Sequence, residues 1–228
     1  MSVKAVRTRQ IHQSLSRLIL PHPAQDVHRW ALFLRFILRC VCRRDQGCPK
    51  IWSSHPCDEL TEGARSGLSS EAAVAIILSE REGRPSILLI RRRESPNDPW
   101  SGHVALPGGR RRPEDRDLLA TVIREVAEEV GIDLSRFEPT TVIGPYSPSN
   151  APNLSVTVFV FSFGARQVSI STGGEVSEAF WVPICELLNS AGEAVLPSGR
   201  RVQAFIWRDK VIWGFTYRVL SEFFRSLE

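Results

Sequence analysis

Arg124-Glu-Val-Ala-Glu-Glu-Val-Gly-Ile132 is the stretch on which the fold turns. It closes a segment, Asp117 to Val130, in which Leu119, Ile123, Val126 and Val130 recur at helical spacing and predict one core-facing stripe. Gly131 stands where a helix takes its terminal glycine. At about 100° per residue, Glu128 and Glu129 fall on the same side as Glu125, roughly 120° from the stripe. Three like charges so crowded are stable when fully solvated or when a cation neutralises them. All-oxygen donors suit a hard ion, Mg2+ or Mn2+, better than zinc. On this segment alone, a solvated Glu-rich face is the plainer reading.

The residues just before it change that judgement. Leu106-Pro-Gly-Gly-Arg-Arg-Arg-Pro-Glu-Asp115 sets two glycines and a basic loop ahead of the acidic helix. Glycine lets the backbone approach a metal or a phosphate closely. Together, Pro107-Gly-Gly109 and Arg124-Glu-x-x-Glu-Glu-x-Gly-Ile132 resemble the Nudix box. The resemblance implies an α/β fold, the Nudix α/β/α sandwich with a mixed sheet. It also implies metal-dependent hydrolysis of a nucleoside diphosphate linked to another group. It makes Glu125, Glu128 and Glu129 metal-binding carboxylates, gives Gly109 a backbone carbonyl ligand, and has Arg124 orient the carboxylates.

In the general box a glutamate stands six residues after the first glycine and seven residues precede Arg-Glu. Here Asp115 stands six after Gly109, and eight residues separate it from Arg124. The longer spacing is similar to the branch of the family that cleaves coenzyme A. Leu88-Leu-Ile-Arg-Arg-Arg93, Asp98-Pro-Trp-Ser-Gly-His-Val-Ala-Leu-Pro-Gly-Gly109 and Val211-Ile-Trp-Gly-Phe-Thr-Tyr-Arg-Val-Leu220 resemble further stretches of that branch. Ile90 replaces its usual threonine, and the stretch before Gly102 is altered.

By the same resemblance Glu175, six residues before Trp181, reaches the metal or acts as a base; a solvated strand-entry residue is the alternative. The expected reaction is in-line attack of water on one phosphorus, with Glu128, Glu129 or Glu175 taking the proton. For coenzyme A the products are 3′,5′-ADP and 4′-phosphopantetheine. Arg91, Arg92 and Arg93, at a strand end, and Arg110 to Arg112 are candidates to hold phosphates, against a solvated basic surface. ADP-ribose, a dinucleotide or a damaged nucleotide is the alternative substrate. An RNA-binding or interaction protein on the same scaffold is the alternative class, but no aromatic-interleaved RNA motif supports it and no nucleic-acid partner is expected.

Outward from this core, Ala72–Leu78 and Ser86–Ile90 read as two strands joined by a turn, and His103–Leu106 as a third, ended by Pro107-Gly-Gly109. Strands are expected at 140–144, 156–163 and 176–182, a short helix at 183–189 with proline in its first turn, and a closing helix at 215–227. The domain is placed at 71–228, after an extension and linker at 1–70.

The chain has 228 residues with 43% apolar and 24% charged, which excludes collagen-like, low-complexity and wholly disordered classes. Its net charge of +4 is uneven: ten Lys/Arg against two Asp in residues 1–57, then 19 basic against 23 acidic residues. The basic balance therefore belongs to the extension. Cys40, Cys42, Cys48 and Cys57 lie there and only Cys185 in the body, which does not resemble a secreted disulfide framework. Their spacing lacks the paired C-x2-C knuckles of a zinc site, so incidental thiols are the expectation.

The run Trp30–Cys42 has 13 residues, interrupted by Arg35 and Arg39, and is too short to span a bilayer. A helix docked on the body or a partner is expected, with a membrane-surface helix or organelle transit peptide as alternatives. Cytoplasmic localisation follows, with organelle targeting by the basic N-terminus as the variant. A homodimer is compatible with the sequence.

Overall fold

The computed structural model describes residues 70–96 and 100–227. The expectations for the extension before Ser70, its cysteines and the Trp30–Cys42 run, and for Asp98-Pro99, lie outside the described residues. The elements are β1 (Ser70–Arg81), β2 (Arg84–Arg92), β3 (Val104–Ala105), β4 (Gly108–Arg110), α1 (Leu118–Val130) and a 3-10 turn (Leu134–Arg136). There follow β5 (Thr141–Tyr146), β6 (Leu154–Ser162), β7 (Val176–Pro183), α2 (Ile184–Asn189), β8 (Ala191–Val195), β9 (Arg201–Trp207), β10 (Lys210–Trp213) and α3 (Gly214–Ser226).

β1 is the axis of a mixed sheet. It runs parallel to β6, from Ser70 opposite Leu154 to Leu78 opposite Ser162. On its other edge the end of β1 forms a hairpin with β2, while its beginning pairs with β4. β2 carries β3 beside its far end and β7 along its opposite edge. β1 and β2 thus diverge, and the segment Val104–Arg110 fills the gap between them. This is a correction to the sequence reading: Gly108-Gly109 does not end a strand but begins β4, and the expected strand at 103–106 shrinks to Val104–Ala105.

Ala73, Ala75, Ile77, Leu88 and Ile90 pack under Val122, Val126 and Val130 of α1. Ile76, Leu78, Ile87 and Leu89 point the other way, onto α2, α3 and Phe205, Trp207 and Ile212 of a small antiparallel sheet, β8-β9-β10. Central strands buried on both faces need apolar residues at every position, which explains the unbroken runs of β1 and β2. Each such Leu or Ile removed from water contributes about 1.5–3 kcal/mol. The result is the α/β/α sandwich with a mixed sheet.

Asp117 caps α1, its Oδ1 accepting the Ala120 N–H at 2.7 Å, and Gly131 ends the helix at φ 70°. The core stripe differs from the expected one. Val122, Val126 and Val130 are fully buried, whereas Leu119 and Ile123 are only partly so. Pro183 caps α2 rather than lying in its first turn. The small sheet is absent from the sequence reading because Ala204 and Phe205 are both buried, which breaks the alternation that marks a half-buried strand. Among the described residues, no helix is long and apolar enough to cross a membrane.

Candidate active site

With the stripe centred on Val126, a helix of about 100° per residue places Glu129 about 60° from its middle, Glu125 about 100° and Glu128 about 160°. Burial follows that order: the side chains are 5%, 14% and 46% exposed. The three carboxylates therefore do not share one solvated side, and this corrects the expected arrangement. Glu129 is driven under β4, Glu125 lies at the margin, and Glu128 faces outward.

The Glu129 carboxylate is held by the Gly108 N–H, which donates to Oε2 at 2.8 Å. Burial pushes its pKa up to about 8; that hydrogen bond opposes the shift and the nearby Glu125 charge adds to it. Arg92 stands 3.9 Å from Glu129 and 3.8 Å from Glu175, too far to form tight ion pairs with either. Glu125 lies directly over Gly109, where a Cβ would stand 2.5 Å from its carboxylate carbon. Any side chain at 109 would displace Glu125.

Arg124 organises the rest. Its guanidinium meets both oxygens of the buried Asp115, at 2.9 and 2.8 Å, Glu125 at 2.7 Å and Glu128 at 3.4 Å. It also donates to the Arg110 carbonyl at 3.2 Å, tying the basic loop to the helix. Asp115 further accepts from the Arg112 N–H and the Thr121 hydroxyl. The Arg124 guanidinium, helped by these donors, holds its carboxyl well below the usual range against the opposing effect of burial. Arg112 grips Glu128 with two parallel hydrogen bonds of 3.0 and 2.9 Å.

Glu175 reaches the same place from a distant part of the chain. The Gly173 N–H donates to the Glu129 carbonyl at 2.9 Å, and a Cβ on Gly173 would collide with the Glu128 carbonyl. The Arg93 N–H donates to the Glu175 carbonyl at 2.8 Å, so both ends of this loop are anchored.

Part of this constellation lines one cavity of about 780 Å³. Glu125, Glu129, Glu175, Gly108 and Gly109 form its acidic part, and Ala72, Val74, Leu106, Leu154 and Val156 its apolar floor. Trp100, His103, Trp213 and Phe215 add an aromatic wall, with the His103 and Trp213 rings edge to face at 4.8 Å. Glu128 is not among the lining residues. Of the strand-end arginines only Arg92 lines the cavity. Arg91 lies on the opposite face of β2, 4.0 Å from Asp209, and Arg93 is exposed past the strand end. Arg110 and Arg112 both line it.

Ser149, Asn150, Arg200, Arg201 and Gln203 also line the cavity and escaped the sequence reading. The turn residues Pro197-Ser-Gly199 were the available signal for a hairpin that would carry Arg200 and Arg201.

Among the described residues, no three acid, His or Cys side chains already converge on one point to hold an ion. Glu128 is taken up by Arg112 and Arg124. The donor chemistry nonetheless fits a hard divalent cation. Glu129 is a buried carboxylate without a close counter-charge, Glu125 lies close enough to raise its pKa, and every side-chain donor is oxygen.

The NUDIX domain sequence profile matches residues 69–202, and the chain belongs to that family; it is a Nudix hydrolase. A protein of Photorhabdus laumondii described as an uncharacterized Nudix hydrolase NudL is 29% identical over 151 residues, 64% of this chain and 79% of the relative. Its counterpart in Yersinia pestis (strain Pestoides F) is 31% identical over 161 residues, 68% of this chain and 78% of the relative. Among solved structures, the NUDIX domain of Shewanella oneidensis NrtR, complexed with ADP ribose, aligns with a TM-score of 0.44 and 21% identity. That alignment covers 54% of this chain and 79% of the other.

Proposed function

We propose that this Nudix hydrolase cleaves the diphosphate of coenzyme A or acyl-coenzyme A, releasing 3′,5′-ADP and (acyl-)4′-phosphopantetheine. The observation that carries the reading is the joining in one cavity of an acidic corner, cationic side chains and a long apolar floor. A nucleotide diphosphate with an extended, weakly polar arm uses all three. The lengthened spacing between Gly109 and Arg124 and the Trp213-Gly-Phe-Thr216 segment support the same branch.

Glu125, Glu129 and the Gly109 carbonyl would hold Mg2+ or Mn2+, with Glu128 joining on release from Arg112. The chemistry supplied by such an ion is neutralisation of the diphosphate and acidification of the attacking water. Arg92 and Arg110 orient the diphosphate by charge-assisted hydrogen bonds. Arg124, itself anchored by Asp115, keeps Glu125 in place by a direct hydrogen bond. Glu175, 79% exposed at the cavity margin, accepts the proton of the attacking water.

A panel of coenzyme A, acetyl-coenzyme A, ADP-ribose and diadenosine tetraphosphate, with Mg2+ or Mn2+ and products read by mass, tests this. Coenzyme A or its thioester should give the highest kcat/KM. A clear preference for ADP-ribose would move the chain to another branch, and full turnover in excess EDTA would remove the metal from the mechanism.

A further inference from the structure

Five arginines line the cavity: Arg92, Arg110, Arg112, Arg200 and Arg201. Four are engaged. Arg92 is shared by Glu129 and Glu175, Arg112 grips Glu128, and Arg201 donates to Glu193 at 2.8 Å. Arg110 carries the carbonyl that receives Arg124, and the residue has a further partner. Arg200 differs: among the described residues, no acid lies within ion-pair distance of its guanidinium and no hydrogen bond holds it.

The side chain of Arg200 is exposed, while its backbone is held in the turn. The Leu196 N–H donates to the Arg200 carbonyl at 2.9 Å, and the Gly199 N–H to the Leu196 carbonyl at 2.8 Å, closing a tight turn between β8 and β9. Ser149, Asn150 and Gln203, all uncharged donors, line the same cavity. Glu125 and Glu129 enter it from α1, on one face of the main sheet, whereas Arg200 comes from the small sheet packed on the other. The two contributions have opposite sign. Carboxylates repel a terminal phosphate, and an unpaired guanidinium attracts it.

We infer that Arg200, with Ser149 and Asn150, is a subsite for a phosphate monoester on the nucleoside half of the substrate, separate from the scissile diphosphate. This rests on the coenzyme A reading, whose ribose carries such a group. The subsite orients the substrate as well as selecting it, because only one end of the molecule carries the monoester. A planar guanidinium meets a phosphate with two parallel hydrogen bonds, which a lysine cannot reproduce.

The test is calorimetric binding of 3′,5′-ADP and 5′-AMP to the 228-residue chain with Mg2+ present, in wild type, Arg200→Ala and Arg200→Lys. In wild type, 3′,5′-ADP should bind about tenfold to a hundredfold more tightly than 5′-AMP. Arg200→Ala should bring the two within about threefold, and Arg200→Lys should fall between. Equal affinities in wild type, or discrimination that survives Arg200→Ala, would overturn the inference. Coenzyme A hydrolysis is scored separately. Absence of hydrolysis would sink the substrate reading, while the nucleotide affinities still decide whether the subsite exists.

Discussion

The Gly108 N–H donates to Glu129 Oε2 at 2.8 Å, so a partly buried hydrogen bond ties the short strand β4 to the acidic helix α1 at the wall of the cavity. That bond holds a buried carboxylate and opposes, without cancelling, the cost of burying its charge.

Replacing Glu129 with Gln keeps the acceptor for Gly108 and removes the charge. On the proposed role of that charge in holding the metal, turnover should fall at least about a hundredfold. The metal-free protein should melt at the same temperature or higher, because a poorly paired buried carboxylate has gone. Steady-state kinetics and scanning calorimetry on the same samples check both. Unchanged kcat at saturating metal would reduce Glu129 to a structural group.

Asp115 and Arg124 form the pair that stabilises this corner. With its pKa lowered in the fold, Asp115 contributes stability that is fully present above its ordinary value of 3.8 and is lost as pH falls below it. Asp115→Asn should therefore lower the melting temperature at pH 7, by an amount equivalent to about 2 kcal/mol, and narrow its gap from wild type under strongly acid conditions. A gap that does not depend on pH would show that packing, not charge, is what Asp115 provides.

Gly109 and Gly192 offer a matched comparison. A methyl group at 109 runs into the Glu125 carboxylate, whereas at 192 it meets nothing within 4 Å. Gly109→Ala should cost about tenfold or more in kcat/KM with a small effect on stability, since the displaced group is the end of a side chain. Gly192→Ala should leave both nearly unchanged. At Gly173 the methyl would strike the backbone of α1, so Gly173→Ala should destabilise by about 1–3 kcal/mol. Thermal melts and kinetics on the three variants separate these outcomes.

Arg91 and Arg92 are neighbours in sequence but occupy opposite faces of β2. Arg92→Ala should lower kcat/KM by about tenfold to a hundredfold, because its guanidinium stands among the cavity carboxylates. Arg91→Ala, which loses only a 4.0 Å pairing with Asp209, should stay within about twofold of wild type. Equal losses would imply that the substrate reaches around the strand.

The sequence by itself determined the class of fold, the helix from Asp117 to its Gly131 terminus, and the register of Arg124, Glu125, Glu128 and Glu129. These are local properties: helical period, cap chemistry and motif spacing act within a few residues. Helical period also fixed the angles between the glutamates, but not which of them would be buried. That depended on whether the stripe centred on Val122 and Val126 or on Leu119 and Ile123, and the sheet beneath α1 made the choice. Strand alternation likewise required Arg91 and Arg92 to diverge without indicating which face bears the cavity. Glu175 joins Glu129 because the Gly173 N–H meets the end of α1 forty-four residues earlier in the chain. Arg200 enters because a small sheet with no clean alternation folds over the α3 face. Contacts across such separations depend on how layers pack, and side-chain packing between layers leaves no periodic signal in any one segment.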